Sequence, residues 1–375
     1  MKWKIPLYKI YCNDADTKAV NAVIERGTHW TNGPENAELE KNLASYVGSK
    51  YALSFNNGTS ALHAMLLAHG IGEGDEIIVP SFTFISTANS VLFTRAKPVF
   101  ADIENETYAL DPSDVRKKIT DRTKAIMPIH YAGSPAIRIN ELKELADEKD
   151  ILLLEDAAES LGAKINGKSV GSAGNSSIFS FCANKVITSG EGGAVTTNSE
   201  DIYEKLKPIR SHGRAENENY FESNKYMDYV NLGFNFRMSS ITAALANSQF
   251  GKIGKIIELR RSAAKKYDET MAELGIMVLP DNENLFNVYQ MYTIRLKNRD
   301  ERDNLKKHLE NDGVMSKVYF DPVHNTHFYK NILGYNISLP ATEKLSSEVL
   351  SIPIFAGMKD EDVAYVCNSI RNFMK

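Results

Sequence analysis

Between about residues 50 and 200 the chain alternates short apolar runs with helical segments, and this alternation restricts the fold more than any other feature. Glu76-Ile-Ile-Val-Pro80, Pro98-Val-Phe-Ala-Asp102, Ala125-Ile-Met-Pro-Ile-His130 and Ile151-Leu-Leu-Leu-Glu155 have strand length and almost no polar alternation. Strands of that kind are buried on both faces, so the pattern predicts an α/β fold with a mostly parallel sheet covered on both sides. The stretch from Thr59 to Ala68 reads as a buried helix, and Asn140 to Lys149 as a polar one.

From Ser239 to about Glu273 the sequence is helical, with Gly251 and Gly254 as candidate kinks. The pattern then changes. Tyr289 to Arg295 reads as a strand, Arg302 to Asn311 as a helix stopping near Gly313, Val314 to Phe320 as a strand, and Lys359 to Met374 as a closing helix. These features predict a large α/β domain over 1–245 and a small α+β domain over 246–375.

Composition removes several function classes. Lys+Arg is 44 against Asp+Glu 48, a formal charge of -4, so no basic surface for nucleic acid is expected. The three cysteines, Cys12, Cys182 and Cys367, form no CxxC pair, so no metal site is expected. No apolar run reaches the roughly 18–20 residues of a membrane span, and the N-terminus lacks a signal-peptide core. The expectation is a cytoplasmic enzyme with no membrane partner.

Three segments carry chemistry. In Asn56-Asn57-Gly58-Thr59-Ser60 a glycine turn leads into a helix whose first N–H groups and dipole favour an anion. Alone, this reads first as a plain helix cap. Asp156, in Leu154-Glu-Asp-Ala-Ala-Glu159, follows a buried strand, where ligands of open α/β sheets gather. A carboxylate there calls for a cationic partner, or serves as another helix cap. Lys185 stands in Ile178-Phe-Ser-Phe-Cys-Ala-Asn-Lys-Val-Ile-Thr-Ser-Gly-Glu-Gly-Gly-Ala-Val195, flanked by apolar sequence. Desolvation favours the neutral amine that forms Schiff bases, and the glycines permit close backbone approach. A lysine snorkelling from a strand end explains the charge but not the glycines. Together, an anion cradle, a carboxylate about 100 residues later and a lysine about 30 beyond it match the needs of pyridoxal 5'-phosphate.

The blocks NNGTSALHAML, GDEIIVPSFTFISTANSV, LLEDAAESLGA, FSFCANKVITSGEGGAV and LGFNFRMSSITAAL resemble the DegT/StrS-type sugar aminotransferases, over almost the whole chain. The resemblance implies the aspartate-aminotransferase fold (fold type I) and the cofactor pyridoxal phosphate. It implies that Lys185 holds the cofactor as an internal aldimine and that Asp156 faces the pyridine nitrogen. Gly58, Thr59 and Ser180 match phosphate-binding positions, and Phe84 the aromatic that stacks on the ring. Glu159 matches a position near the phenolic oxygen. Asn235 matches an asparagine that reaches the phosphate of a neighbouring subunit, which implies a homodimer with shared active sites.

By the same resemblance the donor is L-glutamate and the acceptor a nucleotide-linked keto sugar, in deoxyaminosugar and polysaccharide biosynthesis. Asn184-Lys185-Val-Ile-Thr and Glu159 are closer to perosamine-synthase-like enzymes acting at C4 of a 4-keto-6-deoxy sugar than to 3-keto enzymes. Lys185 argues against the dehydrases of the family, which carry histidine there. Trp30, Tyr319 and His324 are expected near the sugar nucleotide, with packing roles as the alternative. A regulator built on the same fold is the non-enzymatic alternative; the intact Lys185 and Asp156 speak against it.

Overall fold

The protein was analysed as a computed structural model that describes residues 3–215, 220 and 223–375. Two N-terminal helices, α1 (Asp14–Arg26) and α2 (Pro34–Val47), precede the first strand, β1 (Tyr51–Phe55). There follow α3 (Gly58–Ala68), β2 (Glu76–Pro80), α4 (Ser86–Phe93), β3 (Lys97–Ala101), α5 (Pro112–Lys118), β4 (Thr123–Ile126), α6 (Ile139–Glu148) and β5 (Leu152–Asp156). After the short β6 (Lys164–Ile165) and β7 (Lys168–Ser169) come β8 (Ser176–Ser180), β9 (Gly193–Thr197) and α7 (Glu200–Arg210).

Seven strands make one sheet in the order β1-β9-β8-β5-β4-β2-β3. Among the described residues six of these strands run in one direction and β9 alone runs against them. Side chains alternate across this sheet, so Ile77, Val79, Ala125 and Leu154 join one apolar layer while Ile78, Ile126 and Leu153 join the other. Both faces are thus buried, and this is why the strands lack polar alternation. Helix α6 shows the complementary logic: Ile139, Leu142, Leu145 and Ala146 form one buried stripe on an otherwise polar helix.

The helical stretch after Ser239 is two helices, α8 (Ser240–Phe250) and α9 (Ile253–Glu273), broken at Gly251 and Lys252. Helix α9 serves two cores. Ile253, Ile256 and Ile257 pack with the sheet domain, whereas Ala263, Ala264, Tyr267 and Met271 pack with the C-terminal elements. Those are β10 (Met277–Val278), β11 (Leu285–Phe286), β12 (Tyr292–Arg295), α10 (Arg299–Asn311), α11 (Pro340–Glu348), β13 (Val349–Ile352) and α12 (Asp360–Met374). Strands β10, β12 and β13 form a three-stranded sheet; β11 instead pairs with β6. Ile5 also lies in the C-terminal core. Among the described residues no helix is long and apolar enough to cross a membrane.

Two expected strands come out differently. The strand read over Tyr289 to Arg295 begins only at Tyr292. Its first part docks elsewhere: the Val288 and Met291 amides donate to the Gly133 and Ala132 carbonyls, and Tyr289 has φ 49°. The segment Val314 to Phe320 is not a strand. It has one bridge from Val314 to Ile5 and another from Lys317 to Ser351, so its pairing partner changes before a ladder can form.

Candidate active site

Strands β2, β5 and β8 point their carboxyl ends the same way, and β1, antiparallel to β9, ends beside them. A cavity of about 650 Å³ opens there, lined by Gly58, Thr59, Phe84, Asp156, Glu159, Ser180, Lys185 and Tyr319 among others. All three chemistry-bearing segments therefore meet at one place.

The anion cradle forms where β1 turns into α3. Asn57 caps the helix, its Oδ1 accepting from the Ser60 amide at 2.7 Å. The Gly58 and Thr59 amides, at the helix mouth, have no intrahelical acceptor. A Cβ on Gly58 would lie 3.0 Å from the Ser180 Cβ, so glycine lets the serine hydroxyl stand beside the helix start. Gly193 has the stronger requirement: its Cβ would sit 2.7 Å from backbone atoms of Asn57 and Gly58. Gly193 thus lets the returning strand press against the cradle. The Thr59 hydroxyl bonds the Ser86 hydroxyl at 2.9 Å.

Asp156, at the end of β5, is buried. Its Oδ2 accepts from the Thr87 hydroxyl at 2.8 Å and its Oδ1 from the Ala158 amide at 3.1 Å. Burial holds this carboxyl above the usual aspartate range, against those hydrogen bonds and the Lys185 charge. The preceding residue, Glu155, points the other way. Its oxygens accept from the amides of Gly171, Ala173 and Gly174 and from the His130 imidazole at 3.0 Å. His130 Nδ1 accepts from the Ala136 amide, which leaves the proton on Nε2 facing Glu155. Burial pushes Glu155 up, but these donors outweigh it and hold the carboxyl below its ordinary range.

Lys185 lies on a turn closed by its amide donating to the Cys182 carbonyl at 3.0 Å. Its side chain is 14% exposed and its Nζ stands 3.3 Å from Glu159 Oε1. The expected desolvation therefore comes with a carboxylate partner, Glu159, which the resemblance sets near the cofactor's phenolic oxygen. Glu159 Oε2 is held in turn by the Ala132 amide at 3.0 Å. Phe84 is 58% exposed on the cavity wall, its ring 6.3 Å from that of Phe320.

Three expected site residues lie off this cavity. Asn235 is exposed and bridges Ser211; its carbonyl accepts from the Asn56 side chain at 3.4 Å. Trp30, half exposed, donates its indole N–H to the Val23 carbonyl, and its own carbonyl accepts from the Ser240 amide. His324 is buried behind the wall, its Nδ1 2.7 Å from the Ser81 hydroxyl and its Nε2 3.2 Å from Glu343. Sequence reading missed Thr83, Thr87, Ser86 and Lys317, all of which line the cavity. The four-residue spacing of Thr83 and Thr87, whose hydroxyls bond at 2.7 Å, was an available signal. Lys317 had none, because its segment is irregular.

The profile of the DegT/DnrJ/EryC1/StrS aminotransferase family matches residues 11–371. The chain is 35% identical to the GDP-perosamine synthase of Vibrio cholerae over 371 residues, 98% of this chain and 99% of that protein. Among solved structures it resembles Helicobacter pylori PseC, an aminotransferase involved in the biosynthesis of pseudoaminic acid, with 29% identity, a TM-score of 0.91 and 99% of each chain covered. It also resembles Bacillus subtilis NtdA with bound cofactor PMP, with 26% identity and a TM-score of 0.86, over 96% of this chain and 81% of that one. The architecture is that of the fold type I enzymes, and the chain belongs to the DegT/DnrJ/EryC1/StrS aminotransferase family.

Proposed function

We propose that this aminotransferase moves an amino group from L-glutamate to C4 of a nucleotide-linked 4-keto-6-deoxy sugar. The observation that carries the reading is the convergence of Lys185, Asp156 and the α3 N-terminus on one cavity. The name of the Vibrio cholerae relative supports a GDP-linked substrate of this class.

The cofactor is pyridoxal 5'-phosphate, and the residues present fit it. The amides of Gly58 and Thr59 with the Ser180 hydroxyl suit its phosphate, and Phe84 offers a ring face. Asp156, buried with no cation in hydrogen-bond contact among the described residues, suits a protonated ring nitrogen. When bound, the cofactor supplies an electron sink for negative charge on the substrate carbon. Lys185 Nζ would take the proton from the donor's α-carbon as base and, as acid, deliver it to C4′ of the cofactor, with the reverse transfer on the keto sugar. Glu159 holds the ammonium form between those steps, and the Ala132 amide fixes Glu159.

We also propose the division into 1–245 and 246–375, a homodimer in which Asn235 reaches the neighbouring site, and a cytoplasmic location. The exposed position of Asn235 beside Asn56 supports the second of these.

The test is to supply glutamate with a panel of 3-keto and 4-keto nucleotide sugars and to locate the new amine by NMR. An amine at C4 is expected; amination confined to C3 would overturn the assignment.

A further inference from the structure

Lys185 is reached from the C-terminal part of the chain along two routes. On the first, the Gln290 Nε2 donates to the Asn184 carbonyl at 3.1 Å, one residue before the lysine. On the second, the amides of Val288 and Met291, either side of Gln290, donate to Gly133 and Ala132 at 3.0 and 3.1 Å. The Ala132 amide holds Glu159 Oε2, and Glu159 Oε1 meets the lysine amine.

The segment carrying Gln290 is itself tightly fixed. The buried Arg260 guanidinium donates to the carbonyls of Tyr289 and Gln290 at 3.0 and 3.3 Å. A Cβ on Gly133 would fall 2.6 Å from the Gln290 nitrogen, so the two backbones touch. Gln290 is 4% exposed, and its Oε1 has no hydrogen-bond partner among the described residues. A buried, unsatisfied oxygen is a cost that an apolar side chain of the same shape would not incur. The amide is accounted for by what its other end does.

We propose that Gln290 is a positioning residue for Lys185. Its N–H fixes the Asn184 carbonyl and so the direction in which the lysine leaves its turn, while its segment, seated on Ala132 and Gly133, sets the carboxylate that meets the amine. The lysine is thereby held at both its backbone and its tip by one stretch, Val288–Met291. The inference rests on Lys185 being the catalytic amine.

The holoenzyme tests it through Gln290→Met, near-isosteric but without a donor, and Gln290→His, which keeps one. Misplacement of about an ångström at a reacting group costs up to about a hundredfold, so Gln290→Met should lower kcat about ten- to hundredfold, with KM for glutamate changed less than about threefold. Amide hydrogen exchange over residues 182–186 should quicken about tenfold, with β5 unchanged. Gln290→His should restore most of both. If Gln290→Met does not accumulate folded, Gln290→Asn serves, its amide one methylene short of the Asn184 carbonyl. Wild-type kcat with wild-type exchange at 182–186, or exchange quickened uniformly along the chain, overturns the proposal. A Lys185→Ala control separates the two layers: turnover retained there sinks the lysine assignment itself, whereas an inactive Lys185→Ala beside an unimpaired Gln290→Met sinks only the role of Gln290.

Discussion

Glu159 and Lys185 face each other across 3.3 Å with both side chains largely buried, and the far oxygen of Glu159 accepts from the Ala132 amide. The carboxylate therefore has a fixed position whether or not the lysine is engaged. Removing its charge while keeping its shape tests what that position does. Glu159→Gln should keep the fold and lower kcat by about tenfold, within the range of a disturbed proton-transfer pair. Glu159→Ala should be worse, because the Ala132 amide then loses its acceptor. Steady-state kinetics of the two variants alongside their melting temperatures will tell.

Asp156 trades stability for function. Its folded-state carboxyl is raised by burial, so the folded protein binds the proton more readily than the unfolded chain. Stability therefore falls as pH rises above the ordinary aspartate value of 3.8. In the cofactor-free protein Asp156→Asn should melt higher than wild type at pH 7, and the gain should shrink in acid, where both side chains are neutral. Transamination by the same variant should drop by about a hundredfold or more, for want of a charge opposite the ring nitrogen. Scanning calorimetry across pH would contradict this if the variant melted lower at pH 7.

Two glycines near the cradle should respond unequally. Gly58→Ala meets the Ser180 side chain at 3.0 Å, a contact that a small shift relieves. Cofactor affinity should weaken about tenfold, and Ser180→Gly in the same chain should recover part of it. Gly193→Ala meets backbone at 2.7 Å and has no such escape. Fluorescence titration with pyridoxal phosphate should rank them in that order; equal affinities would contradict the close approach.

His324 ties the turn after Phe320 to the end of β2, and its buried imidazole titrates below the ordinary histidine value. His63 is shifted down by burial as well, and His69 to about 4. A lowered histidine costs stability in acid, because the unfolded chain takes the proton first. Unfolding free energy should fall as pH drops through about 6.5, the ordinary histidine value. His324→Gln should flatten part of that slope and cost about 0.5–1.5 kcal/mol through the lost imidazole hydrogen bond, the Ser81 hydroxyl still accepting from the residue-324 amide. It should leave KM for the sugar nucleotide unchanged; a large rise in KM would return His324 to the substrate site.

The sheet was legible because its strands are buried on both faces, which writes itself as Ile77-Ile78-Val79 or Leu152-Leu153-Leu154. Lys185, Asp156 and Gly58 were legible as a set: alone, the Gly58 and Asp156 segments read as helix caps, and only the three together point to one ligand, at the cavity they all line. Lys317 and Gln290 were not legible. Lys317 stands on an irregular segment, and Gln290 acts through a contact with Asn184, remote in sequence. The buried place of His324 was not legible for the same reason, since its partner Ser81 is 243 residues away.

Strand β5 ends in two adjacent carboxylates that alternation sends to opposite sides of the sheet, Glu155 into a nest of backbone amides and Asp156 into the cavity. Because the side-chain period is two residues, a shift of one position would exchange them. The acid meant for a charged ring would be locked among amides, and the acid meant for the amides would stand in the open site. A single-residue insertion or deletion anywhere along β5 is thus an error of assignment more than of packing, since the leucines are interchangeable in kind and the acids are not.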